Sequence, residues 1–191
     1  MIQGVDMERI EQYEYELNKN YLLATNEQIS SGMSWYWEAH RNCNSHAKLL
    51  DVPFYQFVAV VAALSPQKQW ERNIGDAILY IKSKGKARLF ATGVMKDKCK
   101  AILKLDRNSL NTDEVKKILN GNKIKSFYEN ILRPYKSDAV TIDRHAIRSV
   151  AMQGTLTDKK YKEIAAVHQK VSKKIGIKPH ELQAIIWLVV R

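Results

Sequence analysis

The sequence predicts an all-α fold, and three observations carry that prediction. Apolar residues recur at steps of three and four along nearly the whole chain, the spacing that lines one face of a helix. No stretch shows the period-two alternation that a half-buried strand needs. Pro66, Gly85 and the run Asn120-Gly121-Asn122 fall between the periodic stretches and break them. With 191 residues, 45% of them hydrophobic, the chain can bury a proper core, so full disorder is excluded.

Taken in order, Met7, Ile10, Tyr13, Leu17 and Tyr21 form a first core stripe, and Tyr36, Ala39, Cys43, Ala47 and Leu50 a second. Pro53 is suited to open a helix, and Phe54 to Leu64 is apolar nearly all round, the pattern of a helix at the centre of a domain. Trp70, Asn73, Ile74, Ala77, Ile78 and Ile81 give an amphipathic helix before Gly85, and a short helix is expected from Val94 to Leu105. The stretch from Asp106 through Ser109 to Asp113 is turn-rich, and Asn111 or Thr112 is suited to cap a helix that reaches Leu119. Helix resumes over Ile124 to Arg133. A short extended piece, Ala139 to Ile142, leads into helices over Asp143 to Met152, Asp158 to Ile175 and Pro179 to Val190. The total is about nine or ten helices, without internal repeats or low-complexity segments.

Charge narrows the class of partner. The 31 Lys and Arg residues against 20 Asp and Glu leave a net +11 and a pI near 9.6. Nearly all of it lies in the middle: Lys82 to Lys136 holds fifteen basic and five acidic residues, a net +10. Lys82, Lys84, Lys86, Arg88, Lys96, Lys98 and Lys100 either face a polyanion or simply solvate helices and loops. Cys43 and Cys99 are too few for a disulfide framework or a four-cysteine zinc or iron-sulfur site, and fit a reduced thiol pair. The longest wholly apolar run, Phe57 to Leu64, falls far short of the roughly 20 residues of a membrane span. Met1 to Asp6 lacks the basic-then-apolar order of a signal peptide. A soluble, cytoplasmic protein is expected.

Two constellations can carry chemistry. In Leu119-Asn120-Gly121-Asn122-Lys123-Ile124-Lys125 a tight turn enters a helix N-terminus, where unpaired N–H groups and the dipole attract phosphate. Gly121 supplies conformational freedom there, and Lys123 and Lys125 supply charge. The plainer reading is an ordinary helical hairpin. In Val140-Thr141-Ile142-Asp143-Arg144-His145-Ala146-Ile147-Arg148 the aspartate stands where an extended piece becomes a helix. Asp143 is then an N-cap, or a carboxylate at a cleft that stabilises positive charge or activates water. His145 and Arg148 tie down the helix or contact phosphate. His40 and His46 lie six apart, not on one helical face, and no metal site is expected. Trp35, Tyr36, Trp37 and Trp70 are core aromatics or surfaces for a base, with Trp70 the candidate pocket wall.

The order of these elements resembles the helix-hairpin-helix DNA glycosylase superfamily, in particular its endonuclease III-like members. The resemblance rests on Leu64-Ser65-Pro66-Gln67 before a helix, the basic middle, the Leu-x-Gly-x-x-x-Lys hairpin and Ile-Asp-x-His-x-x-Arg, and runs from about Val58 to Met152. The stretch Leu182 to Trp187 is similar to that of small bacteriophage-encoded members. The resemblance implies a two-lobed helical domain over residues 1–191, with the hairpin motif at about 112–133 and both termini packed as one lobe. It implies that Asp143 is the essential aspartate, Lys125 the Schiff-base lysine of bifunctional members, Gln67 the residue entering the gap left by a flipped nucleotide, and Gly121 the first hairpin glycine. Asn122, Lys123, His145 and Arg148 would contact DNA. Lys123 stands where a second hairpin glycine is usual, so the turn is tilted or longer, and either Lys123 or Lys125 faces the cleft. Asn120 and Asn122 replace the usual Pro and apolar residue. The four cysteines of an iron-sulfur loop are absent, so no cluster or other cofactor is expected.

The implied function is a monomer that binds double-stranded DNA, flips a damaged or modified base and cleaves its N-glycosidic bond, with AP lyase activity where the lysine is nucleophilic. A phage enzyme of base hypermodification on the same fold, in the host cytoplasm, and a non-catalytic duplex-binding protein are the alternatives.

Overall fold

A computed structural model describes residues 2–108 and 110–191, with the side chains of residues 2–6 left aside. Met1, in the stretch read for a leader, and Ser109, in the turn-rich stretch, lie outside the described residues. Ten helices are formed and, among the described residues, no strand. They are α1 (Ile2–Leu22), α2 (Asn26–Leu49), α3 (Phe54–Leu64), α4 (Trp70–Lys82), α5 (Gly93–Leu103), α6 (Thr112–Leu119), α7 (Asn122–Leu132), α8 (Arg144–Ser149), α9 (Asp158–Ile175) and α10 (Pro179–Val190). Among the described residues no single helix is long and apolar enough to cross a membrane.

The chain divides into two compact units, with the division falling inside α2 between Glu38 and Ala39. The first combines Met1–Glu38 with Arg133–Arg191, so both ends of the chain contribute to it. Helix α1 packs on α9 and α10, and α8 on α10. Its core joins Tyr13 and Leu17 of α1 to Val140, Ile142 and Ala146, to Ile164, Val167 and Val171 of α9 and to Leu182 and Ile186 of α10. The stripe expected on α1 is therefore core only in part: Met7 is 63% exposed, while Tyr13 and Leu17 are sealed. Gly32 of α2 lies against α10 so closely that a Cβ there would sit 2.5 Å from Ile185 Cγ1 and 2.6 Å from its backbone.

The second unit is Ala39–Leu132. Helix α3 is its axis, buried from Tyr55 through Leu64 and packed by α4, α5, α6 and α7. An apolar helix surrounded on all sides is what Phe54 to Leu64 requires, because no face of it can meet water without loss. His40, whose Nδ1 lies 2.9 Å from Ile131 O, and His46, stacked on Phe57, are packing residues here.

Helix ends show what local signals do. Thr157 caps α9 by accepting from Lys160 N–H, and Pro179 opens α10, where the Glu181 carboxylate accepts from Lys178 N–H. Asn111 occupies the cap position of α6 as expected but makes no side-chain cap bond. Helix α8 is shorter than the expected 143–152. Ala151 adopts φ 51, Met152 N–H donates to Ile147 O, and Ala151 N–H donates to Arg148 O, the paired bonds of a Schellman ending.

Candidate functional site

The segment before Asp143 is anchored by alternating buried side chains. Val140 and Ile142 point into the core, and Tyr161 bonds the backbone on both sides: its hydroxyl donates to Val140 O (2.8 Å) and accepts from Ile142 N–H (3.3 Å). Thr141 is buried too, its Oγ1 3.2 Å from Tyr36 Oη, which lies 3.0 Å from Gln183 Oε1. Tyr36 is thus a core residue and not a surface for a base.

This anchoring delivers Asp143 to the N-cap of α8. His145 N–H and Ala146 N–H both donate to Asp143 Oδ1 at 2.9 Å. Both bonds fall on one oxygen, and Oδ2 takes no hydrogen bond among the described residues. The N-cap reading of this aspartate is what the geometry shows: the cap bonds fix the carboxylate through one of its two oxygens.

His145 and Arg148 act first as ties to α10. The His145 ring meets Trp187 edge-on, with centroids 5.7 Å apart, and Arg148 Nη1 donates to Val190 O at 3.3 Å. The Arg191 guanidinium covers the other partner of this cluster, 4.9 Å from the Trp187 ring centre. His145 Nδ1 is buried without a hydrogen-bond partner, while Arg148 keeps an exposed side chain. Trp187, the aromatic beside the Asp143 helix, was missed as a site neighbour, because α10 and α8 are distant in sequence.

The hairpin belongs to the second unit. Only Asn120 and Gly121 separate α6 from α7, with φ 52 and 76, so the turn is tight and the expectation of a longer one is corrected. Two successive positive-φ residues reverse the chain in the shortest distance. Glycine adopts positive φ freely, whereas Asn120, with ψ 152, lies outside the left-handed helical region that asparagine tolerates and holds a conformation usual for glycine. Asn120 Oδ1 also accepts Gly121 N–H at 2.9 Å. A Cβ at Gly121 would meet nothing within 4 Å, so conformation alone and not space calls for glycine. Lys123 needs no glycine because it lies inside α7. There Lys123 is exposed and Lys125 half-buried, its N–H bonded to Gly121 O, and Asn122 is the first helical residue. Lys98 Nζ of α5 donates to Leu119 O (2.6 Å) at the end of α6, and Lys116 of α6 pairs with Glu129 of α7 (2.8 Å), bracing the hairpin.

Gln67 sits at the tip of the α3–α4 connection, exposed, with φ 61. Lys68 N–H donates to Ser65 O, so Ser65-Pro66-Gln67-Lys68 is a turn with Pro at its second position and a left-handed third residue. The next residue pins it: Lys68 Nζ lies 2.7 Å from Asp76 Oδ2, with side chains only 3% and 5% exposed, and Arg72 Nε meets Asp76 Oδ1 at 3.0 Å. This buried pair was not anticipated. Trp70 is half-buried as the first residue of α4.

The second unit carries 17 basic and eight acidic residues, a net +9, and the first 14 and 12, a net +2. Exposed Lys82, Lys84, Lys86, Arg88, Lys100, Lys117 and Lys123 form no ion pair among the described residues. Burial raises both free thiols, Cys43 and Cys99, to about 12, which makes them inert. Among the described residues no three His, Cys, Asp or Glu side chains converge as a metal requires.

The structure thus groups Asp143, His145 and Arg148 in the first unit, and Gln67, Trp70, Gly121, Asn122, Lys123 and Lys125 in the second. No curated protein and no solved structure matches the chain. The model of a family of unknown function, DUF7178, matches residues 2–191, and the chain belongs to that family.

Proposed function

We propose that this protein is a DNA glycosylase-like enzyme that binds duplex DNA, extrudes a damaged or modified base and cleaves its N-glycosidic bond. The observation that carries the reading is the Asp143 carboxylate, held through Oδ1 by two backbone N–H groups with Oδ2 uncommitted, inside Ile-Asp-x-His-x-x-Arg. The tight positive-φ hairpin and the unpaired cations of the same chain support it, being the groups that bind phosphates.

In this reading a base inside a duplex is drawn out at a cost of a few kcal/mol of unstacking, and Gln67, exposed on its turn, fills the gap. As the bond to the base breaks, its electron pair leaves with the base and positive charge grows on the sugar. Asp143 stabilises that charge and orients the water that attacks C1′, whose proton is released. Where a neutral Lys125 amine attacks C1′ instead, an imine forms after loss of the base, and β-elimination then cuts the strand. Lys123 is the second candidate for this role.

One observation favours a second reading. An N-cap explains Asp143 without any chemistry, which leaves a duplex-binding protein that does not cleave.

The test incubates the protein with duplexes holding uracil, oxidised, alkylated or hypermodified bases, with and without borohydride. The proposed enzyme releases one of these bases. Covalent capture that disappears in Lys125→Ala identifies a lyase, and release without capture a monofunctional glycosylase. Duplex binding with no release on any substrate supports the non-catalytic protein instead.

A further inference from the structure

Between α4 and α5 the second unit holds a connection whose design the base-release reading does not use. From Ala77 to Lys96 the chain has no acidic residue, while Lys82, Lys84, Lys86 and Arg88 recur at every second position, all exposed and none in an ion pair among the described residues. The backbone here is tightly held. Gly85 N–H donates to Tyr80 O (2.8 Å), Lys86 N–H to Ser83 O (3.1 Å) and Ala87 N–H to Ser83 Oγ (3.0 Å). Gly85 has φ 80, and a Cβ there would lie 3.2 Å from the Tyr80 hydroxyl, which itself donates to Lys96 O.

Phe90 stands at the end of this basic stretch and is 76% exposed. It is the middle residue of a three-residue turn closed by Ala91 N–H on Leu89 O at 2.9 Å. Leu89 on one side is buried, and Thr92 on the other caps α5 by accepting from Met95 N–H. With both flanks fixed, the phenyl ring is presented to water by the backbone and does not merely stray there. A single exposed apolar side chain is ordinary on a protein surface. An aromatic ring on an ordered turn next to four uncompensated cations is the combination that receives a nucleic-acid strand, with rings stacking on bases and cations following phosphates. A lipid surface is the poorer match, because the large apolar side chains exposed among the described residues here are three, Leu79, Phe90 and Val94, and they stand on α4, a turn and α5 in place of one continuous helical face.

We infer that the Lys82–Phe90 connection is a second nucleic-acid contact, in which Phe90 stacks on an unpaired base and Lys82, Lys84, Lys86 and Arg88 hold the flanking phosphates. The inference rests on the reading of this chain as a DNA-binding protein and is independent of its catalysis. A duplex with a central gap offers such a base and an intact duplex does not.

Fluorescence anisotropy of the full chain on gapped duplex, intact duplex and phosphatidylserine vesicles tests it. The wild type should favour the gapped duplex by about tenfold, the scale of one base–aromatic stack. Phe90→Ala should abolish that preference while leaving intact-duplex affinity and its salt slope unchanged, and Phe90→Trp should restore it. Replacing Lys84, Lys86 and Arg88 together by Gln should lower the salt slope on the gapped duplex by roughly 2 to 3, at about 0.7 to 0.9 per phosphate contact. Equal wild-type affinity for the two duplexes, an unchanged preference in Phe90→Ala, or a Phe90→Ala loss seen only on vesicles overturns the inference. Normal intact-duplex binding in those cases leaves the base-release proposal standing, whereas absence of binding to any DNA removes both.

Discussion

The two units of this protein differ in how far their charge is balanced, at a net +2 in the first and +9 in the second. In the first, cations and carboxylates satisfy one another: Arg9 makes a two-pronged pair with Glu163, and Lys170 and Lys174 both close on Glu14. Its two buried histidines, His168 and His180, are held by carbonyls, and burial favours their neutral forms. In the second unit the carboxylates are too few, and the exposed cations of the α4–α5 connection and the hairpin turn outward. The contrast teaches where each unit is vulnerable: the first to acid and to crowding of its core, the second to salt.

The largest effect should come from salt. If about six phosphates are contacted, duplex affinity should fall on the order of a thousandfold between about 50 and 200 mM salt. A titration with no salt dependence would break the comparison, because the surplus charge of the second unit would then have no polyanion to meet.

Crowding the first unit comes next. Gly32→Val places atoms where Ile185 already stands and should cost about 3 kcal/mol, seen as a lower urea midpoint. Acid should act on the same unit with similar size. Burial holds His168 down at about 4, against 6.5 in the unfolded chain, so folding excludes a proton that the unfolded chain binds. Stability is therefore complete above about pH 6.5 and is lost as the pH falls toward 4, by about 3 kcal/mol in all. His180, also pushed down by burial, adds in the same direction. Hydrogen exchange should show α9 losing protection first as the pH drops, and His168→Leu should flatten the curve. A wild-type stability profile without slope over that range would remove His168 from the account.

The smallest effect separates the two roles of Asp143. Asp143→Ala forfeits the cap of α8 and should cost about 1 kcal/mol, whereas Asp143→Asn keeps a good cap and should cost little. Equal melting temperatures for Asp143→Ala and wild type would show that the cap bonds carry no weight.

Much of the fold was readable from local signals. The bounds of α9 and α10 follow from Thr157, Gly176 and Pro179, and the burial of α3 from its unbroken apolar run. The end of α8 was not, because a left-handed residue there is Ala151, where glycine is the usual marker. Met7 has the spacing of a core residue, yet where a stripe begins to meet its neighbours depends on helices far along the chain. At the site, the cap position of Asp143 was visible as an extended piece turning into a helix. The Lys68–Asp76 pair was not, since Lys68 precedes α4 and reaches a carboxylate inside that helix, and both residues look like solvated charges. The hairpin length depended on Asn120 joining Gly121 at positive φ, which composition alone does not reveal.

The central claim is that the free oxygen of Asp143 stabilises a sugar cation, and base release by Asp143→Asn measures it most directly. On a duplex that the wild type processes, the variant should bind as before and release base slower by about two to three orders of magnitude, the scale of one electrostatic stabiliser. Release at the wild-type rate by a folded, DNA-bound Asp143→Asn would contradict the account.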